Sequence, residues 1–599
     1  MKTASNKAKV WIISGIAIVV LACASGCTSP TTQPAATATP IIEQAAEQPA
    51  PMATLAPAPT SSATATGKKL AATPAPLPTQ VPAQLSLKLE NRREGTHGGS
   101  LTVAGFADVP HRDVHQTIQE TLTSMGPGLA YSRLLRLRPG TGDDQPSLLL
   151  ECDLCLSWEL TSGFAYQFQL REDVRWQNIT PVDGRALVAD DLVFSYDRMR
   201  TPGWANAGLL SSWGEVAALG PHRLRIDLAM ADADALLSLA DGHSKIVARE
   251  VVEKFGDLRE SPVVGTGPWI WVESEDKVGT VLRRNPDYFE AGLPYLDALA
   301  IKPIRAEGKI ISSGLERMAA LQGGMVDITI LPPNEWRQLR DWGADVGSAL
   351  SRQSGTGVYL AFNVRSQQLS DVAVRRAMWR AIDPWNYVDT VWAGQGFVSV
   401  GIPVSNSGWL LERNEMRGQY FADPGMSREA LARAGAGGGI EITVRTEEFG
   451  DAYLDLERRL TEDLRQVGFD PTIRRLNPSQ FSDIVLNQRD YQIALGVLPP
   501  TSTTNSFLMA LLHSQGRWNI SGHQNRELDR MIEDQAAEFN PDKREDLLKE
   551  IQRRVMDEAY LFSPVTGASR WVFDPQVTGF HPNTALSEYL YWSRVWLDR

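Results

Sequence analysis

Tyr166-Gln167-Phe168-Gln169-Leu170, followed by Ala189-Asp190-Asp191-Leu192-Val193-Phe194-Ser195-Tyr196-Asp197-Arg198-Met199-Arg200, carries two hydrophobic periods in succession. The first alternates apolar and polar residues as a half-buried strand does. The second sets Leu192, Val193, Tyr196 and Met199 on one side of a helix, with Asp190 and Asp191 near its positive end. Working outward, Leu101 to Phe106 and His222 to Leu228 repeat the strand pattern, as do Tyr359 to Val364, Glu441 to Thr446 and Tyr491 to Val497. Asp371 to Ile382, Asp451 to Val467 and Arg526 to Ala559 repeat the helical one. The mixture predicts an α/β body. No period of 20 to 50 residues recurs, which argues against a solenoid or a propeller.

The chain has 599 residues, 59 Lys+Arg against 71 Asp+Glu, a net charge of −12 and 43% hydrophobic residues. That balance supports a sizeable core and gives no footprint for nucleic acid. Lys2, Lys7 and Lys9 precede an apolar run from Val10 to Ala22, the length of a signal-peptide core rather than a membrane span. Ala24-Ser25-Gly26-Cys27 resembles the lipobox of bacterial lipoproteins, so Cys27 is the expected lipidation site, with Cys23 the other candidate. An ordinary signal peptide or an uncleaved anchor is the alternative. Residues 28–94 are rich in Ala, Pro and Thr, cannot form a core, and read as an extended tether.

The chemistry-bearing motifs point away from catalysis. No G-x-x-x-x-G-K-[ST] loop and no G-x-S-x-G elbow occurs. His111-Arg112-Asp113-Val114-His115 lacks the Glu of a zincin helix and follows Pro110, so a polar loop is expected there rather than a metal site. Cys152-Asp153-Leu154-Cys155 is the remaining thiol pair in an exported chain, where a local disulfide is expected; zinc would need two further ligands, and a redox role is the lesser alternative. No metal and no cofactor is expected. Among 17 tryptophans, Trp204, Trp392, Trp409 and Trp518 fall in loop-like stretches, where core packing explains them less well.

The succession of segments resembles one family, the extracytoplasmic solute-binding proteins of ABC importers, in the branch holding oligopeptide-, dipeptide- and nickel-binding proteins. The resemblance rests on Leu156 to Leu160, Tyr166 to Trp176, Ala189 to Tyr196, Val264 to Trp269, Arg283 to Phe289, Ala320 to Ile328, Tyr359 to Val364 and Leu369 to Asp383, in order. It implies a two-lobed periplasmic-binding-protein-like fold of type II, with an extra subdomain on lobe I and a hinge crossed twice. On this sequence the lobes would be 95–305, 306–560, and a return to lobe I over 561–599. The implied partners are a small-molecule or peptide ligand, permease and ATPase subunits, and the membrane through the lipid anchor, for a protein acting as a monomer without nucleic acid. Expected ligand contacts are Phe106, Tyr359 and Asn363, carried by the resemblance, together with Trp392 and Trp409.

One departure matters. In the family's peptide binders, the strand matching Asp490 to Val497 is followed closely by an Asp that pairs with the peptide ammonium. This chain continues Leu498-Pro499-Pro500-Thr501-Ser502-Thr503-Thr504-Asn505, with no acid. A free-amine peptide is therefore disfavoured, and Thr501 and Thr503 suit a neutral, hydrogen-bonding ligand. A sensing receptor or chaperone on the same fold is the alternative function, and an extracellular hydrolase the remote one.

Overall fold

The computed structural model describes residues 95–598, apart from 117–118, 139–147, 162–163, 205, 273–278, 307–308, 311–312, 406, 436–438, 449–450, 499–500, 502 and 583–591. Cys27 and the tether lie outside the described residues. The main sheet has eleven strands, here β1 (Ser100–Gly105), β2 (Trp269–Val272), β3 (Thr280–Arg284), β4 (Ala298–Pro303), β5 (Ile328–Leu331), β6 (Gly347–Phe362), β7 (Phe397–Ser399), β8 (Ile440–Glu447), β9 (Phe469–Leu476), β10 (Ile493–Val497) and β11 (Leu561–Phe573). Their spatial order is β9-β8-β10-β6-β11-β5-β1-β4-β3-β2, with β7 added beside β11. A second, four-stranded antiparallel sheet is built from Cys155–Thr161, Ala165–Leu170, Arg223–Leu228 and Trp213–Gly220 in that order, and the helix Ala189–Met199 packs beside it.

The side chains sort into separate cores. Leu101, Val103, Trp269, Leu299, Trp571 and Trp592 form one, and the four-stranded sheet has its own around Phe168, Tyr196 and Leu224. A larger core collects Val358–Phe362, Leu456, Leu460, Leu464, Ile493, Val555 and Leu561. Leu456, Leu460 and Leu464 recur every four residues on the helix Asp451–Gln466, which is why that helix can lay one face on the sheet. Burying one such side chain contributes roughly 1.5–3 kcal/mol.

Two strands join these cores. Residues 347–352 of β6 pair with 573–568 of β11; after a register shift, 357–361 pair with 566–561. Gly355 and Gly357 lie at that shift with φ of +80° and +106°, and a Cβ on Gly357 would meet the Val565 carbonyl oxygen at 2.3 Å. Only glycine fits a backbone this close in that conformation. Trp571 therefore belongs to the first core and Phe562 to the larger one, although one strand holds both.

Beyond the expected boundary at 305, β5 pairs in parallel with β1, and Met318, Leu321 and Leu331 pack with Ala104 and Val572. The chain passes between the first and the larger core along β6 and β11. The expected helix from Arg526 to Ala559 is two, Arg526–Ala536 and Pro541–Asp557. Asn540 caps the second by accepting from the Lys543 N–H at 3.1 Å, and Pro541 starts it.

Candidate functional site

Parallel strands end together in each half. In the first half β1, β4 and β5 run parallel and stop at Gly105, Pro303 and Leu331; in the second, β8 and β10 run parallel and stop at Glu447 and Val497. Ligands of open α/β sheets bind outside the carboxyl ends of such strands, where backbone stops pairing and loops take over.

In the first half, Phe106 follows β1 and is 42% exposed. Its ring carries the Arg317 guanidinium 4.1 Å from its centroid, and Arg317 is fixed by donating to the Gly105 carbonyl at 2.8 Å. A large apolar ring held open to solvent by a buried arginine is a preformed platform.

In the second half, Tyr359 of β6 stands opposite Gly496 of β10 and is wholly buried. Its ring lies 6.4 Å from that of Phe481, and its hydroxyl has no hydrogen-bond partner. Glu447 ends β8 with 8% exposure and accepts the Val497 N–H at 3.1 Å. Burial pushes its carboxyl above the ordinary range, against the opposing pull of that hydrogen bond. Trp392 is half-buried and meets Tyr453 edge to face at 5.8 Å. Thr501 is half-buried with its hydroxyl unpartnered, whereas Thr503 caps the turn Thr504–Phe507 by accepting from the Ser506 N–H at 3.1 Å.

Asn363 lies at the other end of β6. Its amide donates to the carbonyls of Arg489 and Tyr491 at 3.2 and 2.9 Å, which ties off a turn away from the Glu447 and Val497 strand ends. Trp409 is buried with the Arg544 guanidinium 5.7 Å from its ring. Trp204 and Trp518 carry Arg198 and Arg517 on their faces. Asp113 is an ion-pair partner of Arg198 at 2.5 Å and accepts the His115 N–H, so the loop after β1 is held by its own polar groups. Cys152 and Cys155 are joined by a disulfide with Cα atoms 5.0 Å apart.

The loop that carries Thr501 and Thr503 is seated against the four-stranded-sheet subdomain. Asn505 donates its N–H to Asp234 at 2.7 Å and its amide to Asp232 at 2.6 Å. Arg544 from the second half pairs with Asp234 at 2.7 Å, and the Leu148 N–H reaches the Ser405 carbonyl at 2.9 Å. Sequence reasoning missed Glu447, Asp234, Asn505 and Arg544. Glu447 was detectable as the first of two acids, Glu447-Glu448, that close a strand-like run; the others had no local signal, because their partners across the junction lie hundreds of residues away. Among the described residues no group of His, Cys, Asp and Glu could hold a metal ion, and no helix is long and apolar enough to cross a membrane.

Two half-sites at strand ends, on separate cores joined by two strands, define a binding protein of the hinged, two-lobed class. Residues 150–519 match the model of the bacterial extracellular solute-binding proteins, family 5, middle region, and the chain belongs to that family. The family binds substrates and is not enzymatic. The chain is 26% identical over 487 residues to heme-binding protein A of Haemophilus influenzae, covering 75% of this chain and 84% of that one. It is 24% identical over 516 residues to the probable di/tripeptide-binding protein 5 of Pseudomonas aeruginosa, covering 81% and 93%. Among solved structures, the substrate-binding protein CtaP of Listeria monocytogenes matches with a TM-score of 0.70 at 18% identity, over 84% of this chain and all of that one. The Helicobacter pylori protein DppA, solved with the peptide STSA, matches at 0.63 and 20%, over 84% and 99%.

Proposed function

We propose that this chain is a lipid-anchored, monomeric solute-binding protein that captures a peptide or peptide-sized solute between its lobes and delivers it to the permease of an ABC importer, whose ATPase subunits supply the energy. The observation that carries the reading is the construction of the junction: two cores joined through β6 and β11, with Asn505 of the second half reaching Asp232 and Asp234 of the four-stranded-sheet subdomain. Rigid bodies linked this way move by hinge bending, and a solute that touches both only when they approach shifts the balance toward the closed form. Relatives named for binding heme, dipeptides and tripeptides support a peptide-sized solute. Cys27 would hold the protein at the membrane surface, with residues 28–94 as the tether.

The test is small-angle scattering on the mature protein with and without whatever solute co-purifies, identified by mass spectrometry after gentle denaturation. A smaller radius of gyration with solute is expected; identical dimensions with every solute that binds would overturn hinge capture. Substituting Cys27→Ser should release the protein from the membrane fraction.

A further inference from the structure

Away from the strand ends, the second half holds a cavity of about 300 Å³, within the size range of ligand pockets. It is lined by helices: Val372–Ala381, Arg413–Tyr420, Pro424–Arg433, the turn between the last two, and the C-terminal end of Pro541–Asp557. Four lining side chains are charged, namely Arg376, Arg380, Asp423 and Asp557. None of the four forms an ion pair with a described residue, whereas the nearby Arg375 and Arg417 pair with Glu558 and Asp383. Arg376 and Arg380 stand one turn apart on one helix, where like charges repel.

The four are held in place by the chain around them. The Arg376 Nε donates to the Asp557 carbonyl, and the Arg380 carbonyl accepts the Asp423 N–H at 2.8 Å. One Asp557 oxygen accepts the Tyr420 hydroxyl at 3.1 Å, and one Asp423 oxygen accepts the Met426 N–H at 2.9 Å. The second oxygen of each acid has no hydrogen bond among the described residues, and neither has the Arg380 guanidinium. The turn that walls the cavity is fixed at Ala422, which has φ of +59° and donates its N–H to the Ile382 carbonyl at 2.9 Å.

The remaining wall is aromatic. Trp379 is 1% exposed, stacks on Phe421 at 5.9 Å and meets Phe562 of β11 edge to face at 5.1 Å. Its indole N–H has no partner among the described residues, although a buried indole ordinarily finds an acceptor. Two cations and two anions that leave each other unpaired, beside an apolar wall, complement a molecule with one charge of each sign next to an apolar group. Its carboxylate meets the arginines, its ammonium the spare acid oxygens, and its side chain the rings.

We propose that this cavity is a second ligand site, which takes a free α-amino acid with an apolar side chain. It is separate from the strand-end site and does not depend on solute capture there.

The test is calorimetry of the mature protein with L-leucine and L-phenylalanine, each compared with its N-acetyl and amide forms. At least one free amino acid should bind, and blocking either charge should weaken it by about tenfold or more. Arg380→Gln removes a guanidinium that no hydrogen bond holds, and Met426→Trp fills the cavity from a position 44% exposed. Each should weaken binding by about tenfold or more with little change in melting temperature. Trp392→Ala, at the strand-end site, should leave amino-acid affinity within about twofold of wild type. No heat from either amino acid, equal affinity for a blocked form, or full affinity in the two cavity variants would each overturn the assignment. Loss of binding in Trp392→Ala alone would overturn it too, by placing the amino acid at the strand ends, and would leave solute capture intact.

Discussion

The Arg544 guanidinium lies 2.7 Å from the Asp234 carboxylate, and the two side chains are 5% and 2% exposed. Arg544 sits at the start of a long helix of the second half and Asp234 in a turn of the four-stranded-sheet subdomain, so the pair spans the junction. Arg544 and Gln535 also reach the Asn505 amide oxygen at 3.1 and 2.9 Å, which makes the contact a closed polar network.

Removing one member strands the other. Asp234→Asn should cost about 3 to 5 kcal/mol at the junction, since an uncompensated buried guanidinium remains. In scattering the variant should be more extended than wild type. Replacing both, as Asp234→Leu with Arg544→Met, should recover most of the loss in denaturant melts. A single variant as compact and stable as wild type would show that the pair contributes nothing to holding the halves together.

Trp392 is only half-buried, so its truncation should be felt by a ligand more than by the fold. Trp392→Ala is expected to weaken solute binding about tenfold, equivalent to about 1.4 kcal/mol. The melting temperature should change by only a few degrees. A large drop in melting temperature with unchanged affinity would identify it as core.

Thr501 and Thr503 should separate in the same experiment. Thr503→Ala removes a helix cap and should cost about 1 kcal/mol of stability. Thr501→Val removes an unpartnered hydroxyl, so it should leave stability intact and change affinity, as measured by paired calorimetry and denaturant unfolding.

Burial holds His115 neutral, with its pKa lowered to about 4, helped by the Arg198 charge. Burial likewise lowers His523 to about 4. The unfolded chain takes up these protons near 6.5, so it binds more protons than the folded one between that value and 4. Stability is fully present above pH 6.5 and is lost as pH falls toward 4. His115→Gln, which keeps a donor for the Lys245 carbonyl that the ring meets at 2.8 Å, should make melting temperature less steep in pH between 6.5 and 5. An unchanged slope would exclude His115 as a source.

The Cys152–Cys155 disulfide closes a loop of sequence separation 3. Its reduction should cost about 2 kcal/mol on a chain-entropy estimate. The bridge lies in the first half, away from the Glu447 strand end, so ligand affinity measured with and without reductant should agree.

The local elements were legible wherever periodicity was strong. Ala189–Met199, Asp451–Gln466 and Ala165–Leu170 carry their buried faces in the spacing of their apolar residues. The break between Arg526–Ala536 and Pro541–Asp557 was signalled by Asn540-Pro541 and overridden by the surrounding helical pattern. The first part of β6 was not legible, because Gly347 to Gly357 is polar and glycine-rich and is held as a strand by its neighbour β11 rather than by its own propensity.

The residues expected to contact a ligand fall in different places in the fold. Phe106 and Thr501 follow strand ends, Tyr359 lies within β6 opposite Gly496, and Trp392 follows the helix Pro384–Thr390, whereas Asn363 closes a turn at the end of its strand. A side chain's residue type says what it can bind, but which end of a strand it occupies depends on register.

The order of strands and helices, the thiol pair and the absence of an acid after Val497 follow from residue order alone, since each depends on neighbours within a few positions. Where the halves divide, how deeply Glu447 is buried at its strand end, and what Arg544 touches depend on contacts between residues up to about 310 positions apart. Those contacts form only when loop closure has brought distant segments together, and the burial that results sets both the cost of a lone carboxylate and the worth of its partner.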